Sequence, residues 1–404
     1  MRPKFRARRA IPVIDPVADF LKTEEGGGFA LFAGSVVALL WVNLLGIDGY
    51  ESFWHTKLTI GFGEISITED LGHWVNDGLM TLFFFLISLE IKREIVHGDL
   101  REPRKAALPV LAAAGGVLVP VAIFLAVTAG TDGTSGWGIP MATDAAFAIA
   151  ALAILGDRVG VGAKLFLVTI AVVDDILAIA VIAIAYTSDL SLPWLLASIG
   201  TLGIVAAMRR FGIGAIWPYA IVGVLVWIAV LESGVHATIA GVALAFLTPA
   251  KPIDGRQVIE ELEERIHPWT SFLVLPVFAL ANAGVVIGGD ALGAGDGARV
   301  AVAVALGLVA GKLIGISAAA WLALRLRIGA LPEGLGFRSV IGIAALAGIG
   351  FTVSLFIAAL AYDDPLLVDA AKLGILGGSV VSAAIGVAIL APGGRHPSRA
   401  APEG

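Results

Sequence analysis

Asp174 and Asp175 stand side by side in the middle of an apolar run, Leu165-Phe-Leu-Val-Thr-Ile-Ala-Val-Val-Asp-Asp-Ile-Leu-Ala-Ile-Ala-Val-Ile-Ala-Ile-Ala185. The run is long enough to cross a bilayer, which takes roughly 20 residues at about 1.5 Å each. A carboxylate at bilayer depth costs at least about 2.5–3.5 kcal/mol, and a packing role has cheaper solutions. Two carboxylates there point to a place where a cation, a proton or both replace lost hydration. Consecutive helical residues point about 100° apart, so one aspartate faces an ion while the other faces a cation on a neighbouring helix. The plain alternative is a buried salt bridge with a satisfied hydrogen bond.

Further ionisable groups sit where hydrocarbon is expected. Lys312, in Val304-Ala-Leu-Gly-Leu-Val-Ala-Gly-Lys-Leu-Ile-Gly-Ile-Ser317, is too deep to reach either surface easily. It requires an anion or a lowered pKa, and the aspartate pair is the obvious partner; the plain alternative is snorkelling toward either surface. Asp144 follows Pro140 and Thr143 in a segment short of a full span, which reads as a broken helix whose freed carbonyls help to bind a cation. The plain alternative is a helix cap near the outer surface. Gly348-Ile-Gly-Phe-Thr352 interrupts another apolar segment in the same way. Asp77 and Glu90 bracket one span, about 20 Å apart on a helix. Asp77 is placed to line the outer half of a path. Glu90, near the inner end beside Lys92, Arg93 and Glu94, serves equally well in an interfacial ion pair.

Histidine changes charge near neutral pH. His236 opens a short apolar segment, and His267 closes the acidic stretch Glu260-Glu-Leu-Glu-Glu-Arg-Ile-His267 that contains Glu263 and Glu264. The plain reading is a polar boundary and a solvated helix face. At the mouth of a cation path the same residues would gather ions and report pH. Lys372 reads as an interfacial anchor.

The elements that must position these groups are membrane spans. The chain is 58% hydrophobic and 15% charged, with mean hydropathy +0.92; soluble domains carry about 25% charge. It has no cysteine, which excludes disulfides, thiolate metal sites and thiol catalysis. Its 50 glycines suit helices packed closely in lipid, although Gly311-Lys-Leu-Ile-Gly315 and Gly374-Ile-Leu-Gly-Gly378 carry little weight singly in so glycine-rich a sequence. Twelve apolar segments are read, at roughly 28–47, 71–91, 106–129, 138–156, 162–186, 192–208, 213–231, 235–249, 268–288, 300–324, 337–361 and 366–391. With the N-terminus inside, 23 of the 27 Lys and Arg fall on the inner side, so both termini are expected in the cytoplasm. Charges at Asp15, Asp19, Lys22, Glu24 and Glu25 argue against a secretory signal peptide. The expected layout is a basic cytoplasmic extension at 1–27, a twelve-span unit at 28–391 and a cytoplasmic tail at 392–404. Spans 3–5 and 10–12 start on opposite sides, as inverted repeats, with the two interrupted segments in the middle of each. In the outer loop, alternation over 57–68 around Gly61 and Gly63 predicts a small β-hairpin. An isolated hairpin is marginal in water, and a copy in a second subunit would support it.

The motifs taken together carry a resemblance. Trp74-Val-Asn-Asp-Gly-Leu-Met80, Leu89-Glu-Ile-Lys-Arg-Glu94, Ala142-Thr-Asp-Ala-Ala-Phe-Ala148, Val172-Val-Asp-Asp-Ile176, Ser233-Gly-Val-His-Ala-Thr238, Gly311-Lys-Leu-Ile-Gly-Ile-Ser317 and Gly348-Ile-Gly-Phe-Thr352 resemble the NhaA-type sodium/proton antiporters, in the family's order, over about residues 25–390. The resemblance implies an all-α polytopic membrane protein of twelve transmembrane helices. It implies that two broken helices cross near the midplane and that a periplasmic hairpin joins a homodimer. It implies that matched interrupted spans mark the site, a rule whose founding cases include this family. It implies that Asp175 and Asp144, with Thr143, hold the transported Na+ or Li+, and that Asp174 pairs with Lys312. Glu90, His236, Glu263 and His267 match positions linked to pH response, and Asp77 a second-span acid. Glutamate at 264, where some relatives have histidine, departs from the pattern.

The function implied is electrogenic, pH-regulated exchange of Na+ or Li+ for external H+ by competition at intramembrane aspartates, in a bacterial inner membrane. It requires no enzyme chemistry, cofactor or nucleic acid. A sodium-coupled solute symporter is the main rival; a cation channel and an intramembrane aspartyl protease fit the charged residues less well.

Overall fold

Each of the twelve apolar segments contains helix, because hydrocarbon offers the backbone no hydrogen bonds and a helix supplies its own. The computed structural model describes residues 24–62, 65–187, 190–252, 256–288, 291, 293, 295–332 and 334–392. The expected N-terminal extension up to residue 23 and the tail from 393 lie outside the described residues.

The helices are α1 (Glu24–Leu40), α2 (Ile47–Trp54), α3 (Met80–Val96), α4 (Pro103–Thr128), α5 (Ala145–Ala153), α6 (Val161–Ala185), α7 (Leu192–Arg210), α8 (Ile216–Leu231), α9 (Thr238–Leu247), α10 (Val258–Trp269), α11 (Leu275–Asn282), α12 (Asp296–Leu306), α13 (Lys312–Arg325), α14 (Phe337–Leu346), α15 (Phe351–Ala361) and α16 (Pro365–Leu390). By length and apolarity, six helical runs among the described residues qualify as crossing a membrane, or eight if two bent pairs are counted as spans. That is fewer than the twelve expected. The remaining segments are short, as in α8 and α9, or divided by turns of a different pitch. Such wide turns occur at Trp41–Leu45, Trp74–Leu79, Thr270–Val274 and Gly307–Gly311, a feature frequent at functional sites.

The two bent pairs are the interrupted segments. The 3-10 stretch Asp132–Met141 and α5 meet at 48°, and α14 and α15 meet at 45°. Pro140 lacks a backbone donor, and Gly348 and Gly350 lower the cost of leaving helical geometry. Around the breaks, α4 packs on α13, α12 on α16, α14 on α16 and α6 on α4. The glycine spacings matter more than their frequency suggested. A Cβ on Gly311 would lie 2.7 Å from the Cα of Pro120, and one on Gly315 would strike the carbonyl of Gly115, so α4 and α13 touch backbone to backbone. A Cβ on Gly378 would lie 3.2 Å from the Cα of Ala305, which lets α16 approach α12 in the same way.

Strands β1 (Lys57–Phe62) and β2 (Ile65–Asp70) pair antiparallel, with Lys57 opposite Asp70 and Thr59 opposite Thr68. The pairing runs two residues beyond the expected 57–68. Asp70 closes the base, accepting from His55 at 3.0 Å and from His73 at 2.7 Å. Trp74 Nε1 donates to the Leu58 carbonyl at 3.0 Å.

Candidate ion-binding site

The two breaks meet, and the residues that join them are the ones singled out in the sequence. The Asp144 N–H donates to the Ile349 carbonyl at 2.6 Å. The Thr143 hydroxyl lies 2.8 Å from the Ala347 carbonyl and 2.6 Å from Asp174 Oδ2, with one proton to give to either. Asp144 caps α5, its Oδ1 accepting from Phe147 N–H at 3.0 Å, while its Oδ2 accepts the N–H of Thr352 at 3.0 Å and the hydroxyl of Thr352 at 2.6 Å. The plain reading of Asp144 as a cap and the functional one thus occupy the same geometry. The carboxylate faces the start of two helices, where backbone donors and helix dipoles favour negative charge. Among the described residues no hydrogen bond reaches the carbonyls of Ala142, Thr143 or Gly348, which leaves hard oxygen ligands at the crossing.

Helix α6 brings the aspartate pair to this crossing. Asp174 and Lys312 are both fully buried, and Lys312 Nζ lies 2.5 Å from Asp174 Oδ2 and 3.0 Å from the Thr143 hydroxyl. Asp174 Oδ1 is buried with no hydrogen-bond partner among the described residues. Asp175, 8% exposed, has neither a hydrogen bond nor an ion pair among them, and it feels the charges of Asp174, Glu90 and Asp144. One carboxylate is therefore tied to a lysine, one is tied to two helix starts, and one has neither tie. Among the described residues no cluster of three His, Cys, Asp or Glu would hold a resident metal ion.

The remaining candidates surround this centre without joining it. The Asp77 carbonyl, freed by the wide turn at Trp74–Leu79, accepts from Thr81 at 2.5 Å and from Trp227 Nε1 at 2.8 Å. His236 bonds through Nε2 to the carbonyl of Tyr186, whose hydroxyl donates to the Ser135 carbonyl at 3.0 Å ahead of the first break. Glu263 is buried where α10 meets α3, 2.9 Å from Arg93, and its Oε1 has no partner among the described residues. Burial there, with Arg93 opposing it and Glu260 and Glu94 adding to it, pushes the Glu263 carboxyl up to about 7. Glu264 is exposed and His267 half-buried on the same helix. Lys372 is more than an anchor, since its ammonium reaches the Gly284 carbonyl at 3.2 Å and Asp369 at 3.3 Å.

Two participants had been given no role. Thr352 follows the two glycines of the second break without a partner assigned by the sequence, and Arg93 is one of several basic residues at the end of a span. The break after Gly350 carried a signal for Thr352, because a side chain at a helix start is aimed at whatever approaches that start.

Comparison with known proteins agrees with the geometry. Residues 18–390 match the family described as Na+/H+ antiporter 1. Na(+)/H(+) antiporter NhaA 2 of Erythrobacter litoralis (strain HTCC2594) is 45% identical over 381 residues, covering 94% of this chain and 94% of the relative. Na(+)/H(+) antiporter NhaA of Shewanella sp. (strain ANA-3) is 46% identical over 374 residues, covering 92% and 96%. The protein of that name from Campylobacter concisus (strain 13826) is 46% identical over 380 residues, covering 93% and 92%. These relatives carry the name of an antiporter, and the symporter reading gains no support from them.

Proposed function

This chain belongs to the Na+/H+ antiporter 1 family, and from that premise we propose that it extrudes Na+ or Li+ across a bacterial inner membrane in exchange for external H+. The observation that carries the mechanism is Asp175. It is the one member of the acidic trio without a hydrogen bond or ion pair among the described residues, and it lies within the field of the other two. Either a proton or a dehydrated cation relieves the repulsion there, and each expels the other. Asp144 and the freed carbonyls at the crossing complete the oxygen ligands, while Lys312 keeps Asp174 compensated. No covalent step and no cofactor enters. If two protons move per cation, one net charge crosses per cycle, and a potential of 100 mV contributes about 2.3 kcal/mol to extrusion.

The reading includes twelve spans with both termini cytoplasmic, supported by the helix within each apolar segment and the inner-side bias of Lys and Arg. It includes a homodimer joined through the hairpin. It also includes activation in alkali. Burial pushes the carboxyl of Glu263, ahead of the ninth apolar segment, up to about 7, so ionisation above that pH disfavours the arrangement that buries it. The inner face then shifts toward a state that hydrates Glu263.

The test is ion-dependent dissipation of a pH gradient in everted vesicles across about pH 6.5–8.5. Asp175→Asn is expected to abolish exchange with Na+ and with Li+ while leaving the purified protein folded. Exchange at the parent's rate would sink the mechanism.

A further inference from the structure

The starts of two helices converge on one carboxylate, and only one of the donors they contribute can turn. Asp144 Oδ1 accepts Phe147 N–H, and Oδ2 accepts both the N–H and the O–H of Thr352. A cation that uses Asp144 therefore meets oxygens already engaged. The N–H groups belong to the first turns of α5 and α15, and they cannot leave without unwinding a helix. The Thr352 hydroxyl turns about a single bond, and its oxygen carries lone pairs as well as one proton. That oxygen accepts no hydrogen bond among the described residues. Thr352 is 2% exposed, so bulk water does not compete for it. Ser354 is committed to the Ile139 carbonyl at 2.7 Å and Thr143 lies between Lys312, Asp174 and Ala347, whereas Ser382 Oγ, buried against Gly348, has no hydrogen-bond partner among the described residues and faces Gly348 rather than Asp144.

We propose that Thr352 is a ligand of the transported cation, its hydroxyl exchanging the hydrogen bond to Asp144 for coordination of Na+ or Li+ and taking the bond back on release. The inference rests on Asp144 serving as a cation ligand. While the cation is bound, the hydroxyl proton turns to the Gly348 carbonyl, four residues back. Gly348 lies in the break ahead of α15, and no described residue donates to its carbonyl. The exchange needs no movement of backbone at the cation, and it couples the start of α15 to occupancy of the site.

The experiment measures Na+- and Li+-dependent collapse of a pH gradient in everted vesicles, with thermal melting of the purified full chain. Thr352→Val is compared with Thr352→Ser and with Asp144→Asn. Thr352→Val is expected to raise the apparent KM for both cations severalfold, the coordination lost in the bound state outweighing the hydrogen bond lost in the empty one. Its cation-free melting temperature falls modestly with the lost hydrogen bond to Asp144, added Na+ or Li+ stabilises it less than the parent, and Thr352→Ser restores both the KM and this cation-dependent stabilisation. An unchanged KM overturns the proposal. A lowered KM overturns it too, because the hydroxyl would then only shield Asp144. So does a fall in melting temperature and maximal rate at constant KM, the signature of a brace. If Thr352→Val does not fold, Thr352→Cys is read the same way, since a thiol is a poor ligand for a hard cation. If Asp144→Asn exchanges like the parent, the proposed mechanism itself fails; if it is inactive while Thr352→Val is normal, only the role of Thr352 is lost.

Discussion

Lys312 and Asp174 show at the scale of single residues what a buried charge requires. Each is fully buried, and each is tolerable only because the other is 2.5 Å away. Removing one partner leaves an unpaired charge in a low-dielectric interior, a loss of about 3–5 kcal/mol. Lys312→Ala is therefore expected to lower the melting temperature sharply, and Asp174→Asn combined with Lys312→Gln to recover much of it. A double-mutant cycle with no coupling energy would show that the pair does not act as one. The same logic separates the adjacent aspartates. Asp175 has no such partner among the described residues, so its neutralisation is expected to remove exchange while sparing the fold.

Elements decide which of these residues meet. Helices α4 and α13 approach closely because Gly115, Gly311 and Gly315 offer no Cβ at their contact. Lys312 lies between two of those glycines, so the close approach also sets how far the ammonium reaches toward α6. Gly315→Val would drive two methyls into the backbone of α4. A cost of about 1–3 kcal/mol from overpacking is expected, with loss of exchange, read by melting and vesicle assay. A variant with the parent's melting temperature and activity would show that the contact tolerates a side chain.

Helix α10 has its own test. Glu263 has a raised pKa of about 7, so its contribution to stability is full below the unfolded value near 4.3 and is lost as pH rises through about 7. The parent's melting temperature should therefore fall relative to Glu263→Gln between about pH 5 and 8. The neutral glutamine should also flatten the alkaline activation of exchange. An unchanged activation profile would remove Glu263 from the pH response.

At the scale of the whole molecule, the hairpin stands apart from the crossing of the breaks. It is held at its base by Asp70 with His55 and His73, and by Trp74 on Leu58. Trp74 stacks on Trp227, whose Nε1 donates to the Asp77 carbonyl. These contacts do not include Asp144, Asp174, Asp175 or Lys312. Deleting 56–68 is expected to give monomers that still exchange ions, measured by the oligomeric fraction in detergent and by the vesicle assay. An undiminished dimer fraction would take the hairpin out of the interface.

The sequence by itself determined the class of protein and the cast of its site. A carboxylate or ammonium inside an apolar run is expensive wherever the chain goes, so Asp144, Asp174, Asp175 and Lys312 were visible without coordinates. The apolar segments were legible for the same reason, and the breaks announced themselves through Pro140, Gly348 and Gly350. Partnership was not legible. Thr143 lies 169 positions before Lys312, and Asp144 lies 208 before Thr352. Nothing local says which of two adjacent aspartates turns to the lysine. The angle between consecutive helical residues allows either, and only the placement of α13 against α4 and α6 selects Asp174. Nor could the sequence show that a cap, a bridge between two breaks and a candidate cation ligand are one carboxylate. That requires two helix starts to arrive at the same point, which the packing of α5, α15 and α6 decides.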